Sequence, residues 1–365
     1  MILSSKLPDV GLTIFSVMSQ LASEHHAINL SQGFPDFDVS PALIDRVVYY
    51  MRQGCNQYAP MTGVTALREA IVAKTAALYD AVYDPENEVT VTSGATEALY
   101  AAITAVVRPG DEVIIVEPAY DAYEPAVRLN GGRAVFVPMT FPDYRMDWNR
   151  VGEALSAQTR LLILNSPHNP TGSVLTPEDI VQLKALVTGS DLLILSDEVY
   201  EHILFDGRRH ASMAGDPELR RRSFVVSSFG KTYHATGWKI GYCLAPAAMS
   251  AELRKVHQYL TFASNTPIQM ALADYLGSHT DHLELSEFYQ KKRDLFLSLI
   301  RSSRFRPLAC EGTYFQMLDY TAITDESDTA FARRMTIDHG VAAIPPSAFY
   351  HQLDDHRVLR FCFAK

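Results

Sequence analysis

The sequence has few cysteines and no long apolar run, and both features narrow the class of protein. Its 365 residues contain four cysteines, at positions 55, 243, 310 and 362, and none of them forms a CxxC pair. Isolated cysteines of this kind are typical of reduced thiols and argue against a disulfide framework or a zinc site. The longest apolar runs, such as residues 100–107, are far shorter than a membrane span, and residues 1–6 lack the pattern of a signal peptide. We therefore expect a soluble, cytoplasmic protein.

Positive charge is also scarce. The formal net charge is −10, and the one dense basic cluster is residues 220–222. This balance disfavours a surface that binds nucleic acid or an anionic membrane. Residues 25–26 and 354–356 contain histidine and aspartate without the spacing of metal ligands, so no metal site is expected.

From residue 88 onward, short β-rich runs alternate with helical patterns. Strands are predicted at residues 89–92, 112–116, 134–137, 161–164, 192–195 and 224–227, several of them almost entirely Val, Ile and Leu. Such runs are typical of parallel strands that are buried on both faces. The sequence predicts an α/β protein, with a large domain over residues 42–285 whose mainly parallel sheet lies between helices. Residues 1–41 and 286–365 are predicted to form a smaller α+β domain.

Polar side chains or available backbone N–H groups follow five of the predicted strands, where ligands of parallel sheets bind. They are Ala95 and Thr96 at a predicted helix start, Tyr120, Asn169, Asp197 with Tyr200, and Ser228 with Lys231. The small residues at the helix start offer backbone N–H groups to an anion. Because the strand ends of a parallel sheet share one edge, all these groups are predicted to form one site.

This set of groups suits pyridoxal 5′-phosphate. A lysine directly after a strand is placed to form an imine with the cofactor aldehyde, which makes Lys231 the candidate. The other candidate contacts are Ala95, Thr96, Ser228 and Lys239 for the phosphate, Asp197 for the pyridine nitrogen, Tyr120 for the ring face, and Tyr200 and Asn169 for the ring oxygen. Taken singly, each residue has an ordinary structural explanation, such as a capped turn or a packed tyrosine. A P-loop at residues 230–232 is excluded, because that motif needs glycine where Val225 lies.

Three motifs carry a resemblance to a known family. They are Asn169-Pro170-Thr171-Gly172, Asp197-x-x-Tyr200, and Ser228-x-x-Lys231 followed by Lys239. The sequence resembles the fold-type-I, class I/II aminotransferases, which depend on pyridoxal phosphate, over nearly the whole chain except a C-terminal helix. Residues 31–37, 56–58 and 360–363 are similar to the kynurenine/glutamine and methionine aminotransferase branch. Residues 57–63, 227–242 and 256–262 look most like bacterial methionine aminotransferases.

The resemblance implies a reaction and a role for individual residues. It implies ping-pong transfer of the amino group of L-methionine, and of aromatic or glutamine-like amino acids, to a 2-oxo acid, with Lys231 as the covalent lysine and the base. Besides the cofactor contacts named above, it implies that Arg360, Asn169 and Gly33 bind the substrate carboxylate. It places Phe15, Phe262 and Tyr58 near the substrate side chain. It also implies that Tyr58 reaches the phosphate bound by a neighbouring subunit. A homodimer with shared active sites follows. Without the family, Arg360 is better explained as a surface arginine at a strand edge.

Three other functions share this fold and are kept as alternatives. A kynurenine/glutamine-type aminotransferase and a carbon–sulfur β-lyase would use the same lysine, aspartate and arginine, and the sequence separates them poorly. A transcription regulator that senses the same cofactor needs a helix-turn-helix module and a linker, but only about forty residues precede the large domain. Transamination is preferred because of the stretches that resemble methionine aminotransferases.

Overall fold

The computed structural model describes residues 4–365. The helices of this part of the chain are α1 (Ile14–Glu24), α2 (Pro41–Arg52), α3 (Thr65–Tyr79), α4 (Ala95–Val106), α5 (Tyr123–Leu129), α6 (Trp148–Glu153), α7 (Pro177–Val187), α8 (Pro217–Arg220), α9 (Phe229–Thr232), α10 (Ala247–Leu260), α11 (Thr266–Ser278), α12 (Asp281–Leu299) and α13 (Asp328–His339). The strands are β1 (Ile28–Asn29), β2 (Val89–Thr92), β3 (Glu112–Glu117), β4 (Arg133–Pro138), β5 (Thr159–Asn165), β6 (Leu193–Asp197), β7 (Ser223–Ser228), β8 (Gly241–Leu244), β9 (Arg306–Pro307), β10 (Phe315–Asp319), β11 (Val341–Ala342) and β12 (Val358–Cys362).

Seven strands form the main sheet, in the order β2-β8-β7-β6-β5-β3-β4. The strands from β7 to β4 pair in parallel, and β8 runs antiparallel to both of its neighbours. The six predicted strands of this sheet are confirmed, with ends that differ by at most two residues. Because β8 reverses between β2 and β7, the carboxyl end of β2 lies at the same edge of the sheet as the ends of the parallel strands.

The main sheet is buried on both faces, as the apolar runs predicted. Along β5, Leu162 and Leu164 pack into the hydrophobic core on one face, whereas Leu161 and Ile163 pack into the core on the other. All four side chains are at most 2% exposed. Helices therefore cover both faces and leave the strand ends as the accessible edge of the sheet.

A second, smaller group of strands is built from the two ends of the chain. β9, β10 and β12 form an antiparallel sheet, and β1 pairs in parallel with β11. A separate core of apolar residues from α1, α13, β10 and β12 lies beneath them. The predicted domain boundary at residue 285 falls inside α12, which leads from one group of strands to the other. The division into domains stays a prediction.

No helix among residues 4–365 is long and apolar enough to cross a membrane. Over the same residues, no three His, Cys, Asp or Glu side chains come together as a metal site requires.

Candidate active site

The carboxyl ends of the main-sheet strands border one cavity of about 230 Å³. Of the residues predicted for the site, those that line it are Phe15, Gly33, Ala95, Thr96, Tyr120, Asn169, Asp197, Tyr200, Ser228, Lys231, Lys239 and Arg360. They come from the ends of five strands and the segments that follow them, from the segment just before β8, and from both ends of the chain. The structure thus brings together side chains that are separated by up to about 345 positions in the sequence.

Lys231 lies one turn beyond the end of β7, on the short helix α9. Its Nζ donates hydrogen bonds to the hydroxyl of Tyr314, at 2.8 Å, and to the carbonyl of Gly33, at 3.0 Å. Burial lowers the pKa of the Lys231 amine to about 8. A substantial fraction of this amine is therefore uncharged at mildly alkaline pH and able to act as a nucleophile or base.

Asp197 ends β6 with its side chain 4% exposed. Its Oδ2 accepts a hydrogen bond from the hydroxyl of Tyr123 at 2.7 Å, and its Oδ1 accepts one from the backbone N–H of Val199 at 3.3 Å. Burial raises the pKa of Asp197 to about 6, against the opposing effect of these two hydrogen bonds. Since both donors are uncharged, a cation that entered the cavity beside Asp197 would be strongly favoured.

The N-terminus of α4 faces the cavity and is shaped by two glycines. Gly94, just before the helix, has a φ of +80°, and a Cβ there would lie 3.4 Å from the Nζ of Lys239. A Cβ on Gly241 would lie 2.8 Å from the backbone nitrogen of Ala95, so only glycine lets β8 approach so closely. Lys239 itself has a φ of +54°. The helix N–H groups and the Lys239 amine thus converge on a place suited to an anion.

Arg360, on β12, is completely buried. Its Nη1 donates to the Oδ1 of Asn169 and its Nη2 to the carbonyl of Ser31, both at 2.7 Å, whereas its buried Nε has no partner. The guanidinium lies over the ring of Phe315, 3.9 Å from the centroid. The interpretation as a surface arginine is wrong, because β12 is inserted between the cavity and the smaller core rather than left at the surface.

Two tyrosines complete the walls of the cavity as predicted. Tyr200 is buried, and burial raises the pKa of its phenol far above the usual value, so the hydroxyl stays protonated as a hydrogen-bond donor. The ring of Tyr120 lies 5.7 Å from that of Tyr123 in an edge-to-face arrangement. Both phenols are held by packing before any ligand binds.

Two of the predicted residues lie outside the cavity of the single chain. Tyr58 is 85% exposed and makes an edge-to-face contact with Phe262, whose ring centroid is 5.5 Å away. Phe262 is 44% exposed. These two rings form an apolar surface on the same chain rather than a wall of the substrate pocket.

Sequence reasoning missed two tyrosines that contact the predicted site residues. Tyr123 donates to Asp197, and Tyr314 lies between Lys231 and Gly33. Tyr123 follows Tyr120 by three positions, about one helical turn. This spacing is the only local indication that Tyr123 lies near the site. No pattern near Tyr314 indicates that its hydroxyl meets a lysine 83 positions earlier.

Comparisons with known proteins agree with this geometry. Residues 25–365 match the model of the family described as aminotransferase class I and II. The chain is a class I and II aminotransferase. It is 54% identical over 362 residues to the methionine aminotransferase of Escherichia coli K12, a match that covers 99% of this chain and 94% of that protein. With kynurenine–oxoglutarate transaminase 1 of Mus musculus it shares 34% identity over 386 residues, covering 95% of this chain and 90% of the relative.

Solved structures of aminotransferases have the same fold. A crystal structure of an Escherichia coli protein, described as having a methionine aminotransferase function, superposes with a TM-score of 0.98 at 53% identity, over 100% of this chain and 96% of that one. The predicted fold class is confirmed: this is a fold-type-I aminotransferase with an α/β architecture. The family depends on pyridoxal 5′-phosphate.

The residues of the cavity fit this cofactor. A buried carboxylate without a charged partner, Asp197, suits a protonated ring nitrogen, and the N-terminus of α4 with Lys239 suits a phosphate. Lys231 lines the same cavity, where an aldehyde bound between these two groups would meet it. Each chemical part of the cofactor therefore has a complementary group in this chain.

Proposed function

We propose that this aminotransferase takes the amino group from L-methionine, and from aromatic or glutamine-like amino acids, and passes it to a 2-oxo acid by a ping-pong mechanism. The preference for methionine is supported by the 54% identity with the Escherichia coli enzyme over 99% of this chain. It is also supported by the apolar rings of Phe15 and Phe315, which lie beside the candidate carboxylate-binding Arg360.

The cofactor is held, in this proposal, at both ends of the cavity. The backbone N–H groups of Ala95 and Thr96, the hydroxyl of Ser228 and the amine of Lys239 would bind its phosphate. Lys239 supplies a point charge here, not the planar two-pronged donor that an arginine offers. At the other end, Asp197 pairs with the ring nitrogen.

The ring itself is bound between phenol and amide groups. Tyr120 would lie against one face, and Tyr200 and Asn169 would bind the ring oxygen. When bound, pyridoxal 5′-phosphate supplies an aldehyde that accepts the amino group and an aromatic ring that delocalises the electron pair left at the substrate Cα. Asp197 keeps the ring nitrogen protonated and so increases this delocalisation.

The side chains then move one proton. Arg360, Asn169 and the backbone of Gly33 bind the substrate carboxylate, which fixes the Cα relative to Lys231. The amine of Lys231, once free, would take the proton from the substrate Cα and hold it at Nζ.

A single observation carries this proposal: of the fourteen residues named from strand ends, motifs and the family resemblance, all except Tyr58 and Phe262 line one cavity. The experiment is a panel of amino donors, each assayed with one fixed 2-oxo acid, with wild-type enzyme and with Lys231→Ala. Methionine is expected to be the best donor, and Lys231→Ala to abolish transamination and the absorbance of the lysine-bound cofactor. The matched control is Lys291→Ala, an exposed lysine on α12.

Two results would contradict the proposal. A Lys231→Ala enzyme with a normal rate would remove this lysine from the chemistry. Release of pyruvate from cystathionine, without amino transfer from methionine, would assign the site to a carbon–sulfur β-lyase instead.

We further propose a homodimer with shared active sites, in which Tyr58 reaches the phosphate bound by the partner. Its support is the apolar contact between Tyr58 and Phe262, whose side chains are 85% and 44% exposed. Tyr259 and Leu260, which shortly precede Phe262 in the chain, are 85% and 45% exposed. Such a patch is typical of a protein–protein interface. A cytoplasmic location stays a prediction, which cell fractionation would test.

A further inference from the structure

Tyr314 has no role in the family-based proposal, although its hydroxyl is the nearest side-chain partner of Lys231. The side chain is completely buried, just before β10. Its ring contacts that of Tyr200 edge to face, with centroids 5.2 Å apart. A buried phenol that is held on several sides presents its oxygen to the lysine in one fixed position.

The carbonyl of Gly33 closes a triangle with these two groups. It accepts a hydrogen bond from the Tyr314 hydroxyl at 2.6 Å and one from the Lys231 amine at 3.0 Å, while the amine also donates to Tyr314 at 2.8 Å. The backbone at Gly33 is packed tightly, since a Cβ there would lie 2.7 Å from the Cζ of Phe315. Both oxygens are thus rigid acceptors.

An uncharged amine has two N–H groups and one lone pair. In this structure the Tyr314 oxygen accepts one N–H and the Gly33 oxygen accepts the other. With Cε as the remaining bond, the lone pair is the one position on the nitrogen that no bond or hydrogen bond occupies. The amine is therefore oriented as a base rather than free to rotate.

We propose that Tyr314 and the Gly33 carbonyl form a holder for the free amine of Lys231, binding both of its N–H groups so that its lone pair is available to the substrate Cα proton. Tyr314 is then a positioning residue, which acts through Lys231. The inference rests on the proposed role of Lys231 as the base. The proposal adds Tyr314 to the site, although Tyr314 is not one of the strand-end residues that are proposed to bind the cofactor.

The test measures Lys231 directly, in enzyme loaded with pyridoxamine 5′-phosphate, which has no aldehyde and leaves the lysine free. The rate at which acetic anhydride modifies Lys231, followed by mass spectrometry against pH, gives the pKa of the amine. Besides Tyr314, the titratable and charged groups that face this amine are Asp197, Tyr200, Lys239, Arg360 and Cys362. Tyr314→Phe leaves all of these in place, so a change in the pKa is attributable to the lost hydroxyl.

Tyr314→Phe is expected to lower the pKa of Lys231 by about half a unit to one unit, because a hydroxyl stabilises the charged amine more than the neutral one. It is also expected to lower kcat about 10-fold with a change in KM of at most about twofold. The deuterium isotope effect with α-deuterated methionine should rise, because proton removal becomes slower. The matched control is Tyr289→Phe, equally buried, whose ring lies 5.6 Å from that of Tyr314 and whose hydroxyl bonds to His234.

An unchanged pKa and isotope effect in Tyr314→Phe, or the same changes in Tyr289→Phe, would overturn the proposal. A crystal structure of the wild-type enzyme with pyridoxamine 5′-phosphate tests the same contacts without any substitution. The Lys231 nitrogen is expected within about 3.2 Å of the Tyr314 hydroxyl and of the Gly33 carbonyl oxygen. A longer distance to either oxygen would also refute the proposal. Transamination by the wild-type enzyme establishes the proposed function independently of these results.

Discussion

Replacing Asp197 by asparagine is expected to stabilise the cofactor-free protein at neutral pH, although it removes the carboxylate that is proposed to pair with the cofactor. The carboxylate is 4% exposed and is held by two uncharged donors, Tyr123 and the N–H of Val199. Burial raises its pKa from the ordinary 3.8 to about 6. The folded protein therefore binds this proton more tightly than the unfolded chain does.

The sign and size of the effect follow from this difference. Because the folded state holds the proton more tightly, stability falls as the pH rises from about 4 to about 6, and the loss persists above that range. A change from 3.8 to about 6 corresponds to about 3 kcal/mol. Asparagine has one acceptor oxygen in place of two, so it loses one hydrogen bond of about 1 kcal/mol. The expected net gain for Asp197→Asn is about 2 kcal/mol above pH 7, or about 3 °C in Tm.

Thermal melts of the cofactor-free proteins at pH 8 and pH 5 test this. The advantage of Asp197→Asn should be full at pH 8 and fall below about 1 kcal/mol at pH 5, where the folded wild-type protein is already protonated. Added pyridoxal phosphate should reverse the order of stability, because only wild type pairs a carboxylate with the ring nitrogen. The activity of Asp197→Asn should fall about 100-fold or more.

Asp328→Asn is the matched control. Asp328 is also buried and also has a raised pKa, but it accepts hydrogen bonds from both the N–H and the hydroxyl of Ser347, each at 2.7 Å. Asparagine there breaks a satisfied network and should destabilise the protein at either pH. If Asp197→Asn also lowered the stability of the cofactor-free protein at pH 8, the argument that this carboxylate is costly without its ligand would be refuted.

Two further predictions concern the substrate and the subunit interface. Arg360→Ala should reduce kcat/KM by a factor that corresponds to about 2–5 kcal/mol, because the buried carboxylate of the substrate loses its partner. Arg360→Lys should recover part of this loss. A loss in Arg360→Ala of less than about threefold would place Arg360 outside the site. Mixing the inactive Lys231→Ala and Tyr58→Ala proteins should restore activity if hybrid dimers contain one intact site, whereas mixtures that stay inactive after subunit exchange would argue against shared sites.

The sequence was sufficient to predict the strands of the main sheet but not how one of them is oriented. The apolar runs at β5 and β6 are nearly continuous because each strand is buried on both faces, and this pattern is local. The antiparallel direction of β8 has no local signature. It is determined by its pairing with β2 and β7, strands up to about 150 positions away in the chain.

The candidate site was predictable where its residues follow strands, since parallel strand ends share one edge. Arg360 does not follow this rule. It lies in the middle of β12, and only the three-dimensional packing of that strand against Asn169 and Phe315 distinguishes it from a surface arginine. Tyr314 was missed for the same reason: its contact with Lys231 joins two parts of the fold that have no pattern in common.

The charges of the cavity explain why Lys231, Asp197, Arg360 and Lys239 lie in one site. Burial shifts the pKa of Lys231 downward and that of Asp197 upward, so the empty site disfavours both charges. Arg360 and Lys239 add two cations whose natural partners are a carboxylate and a phosphate. A cofactor with a phosphate and a protonated ring, together with an amino-acid carboxylate, would match every one of these groups. The residues that are proposed to bind the ligand are therefore the ones whose burial destabilises the free protein. For this reason a substitution such as Asp197→Asn should stabilise the cofactor-free protein and impair the enzyme.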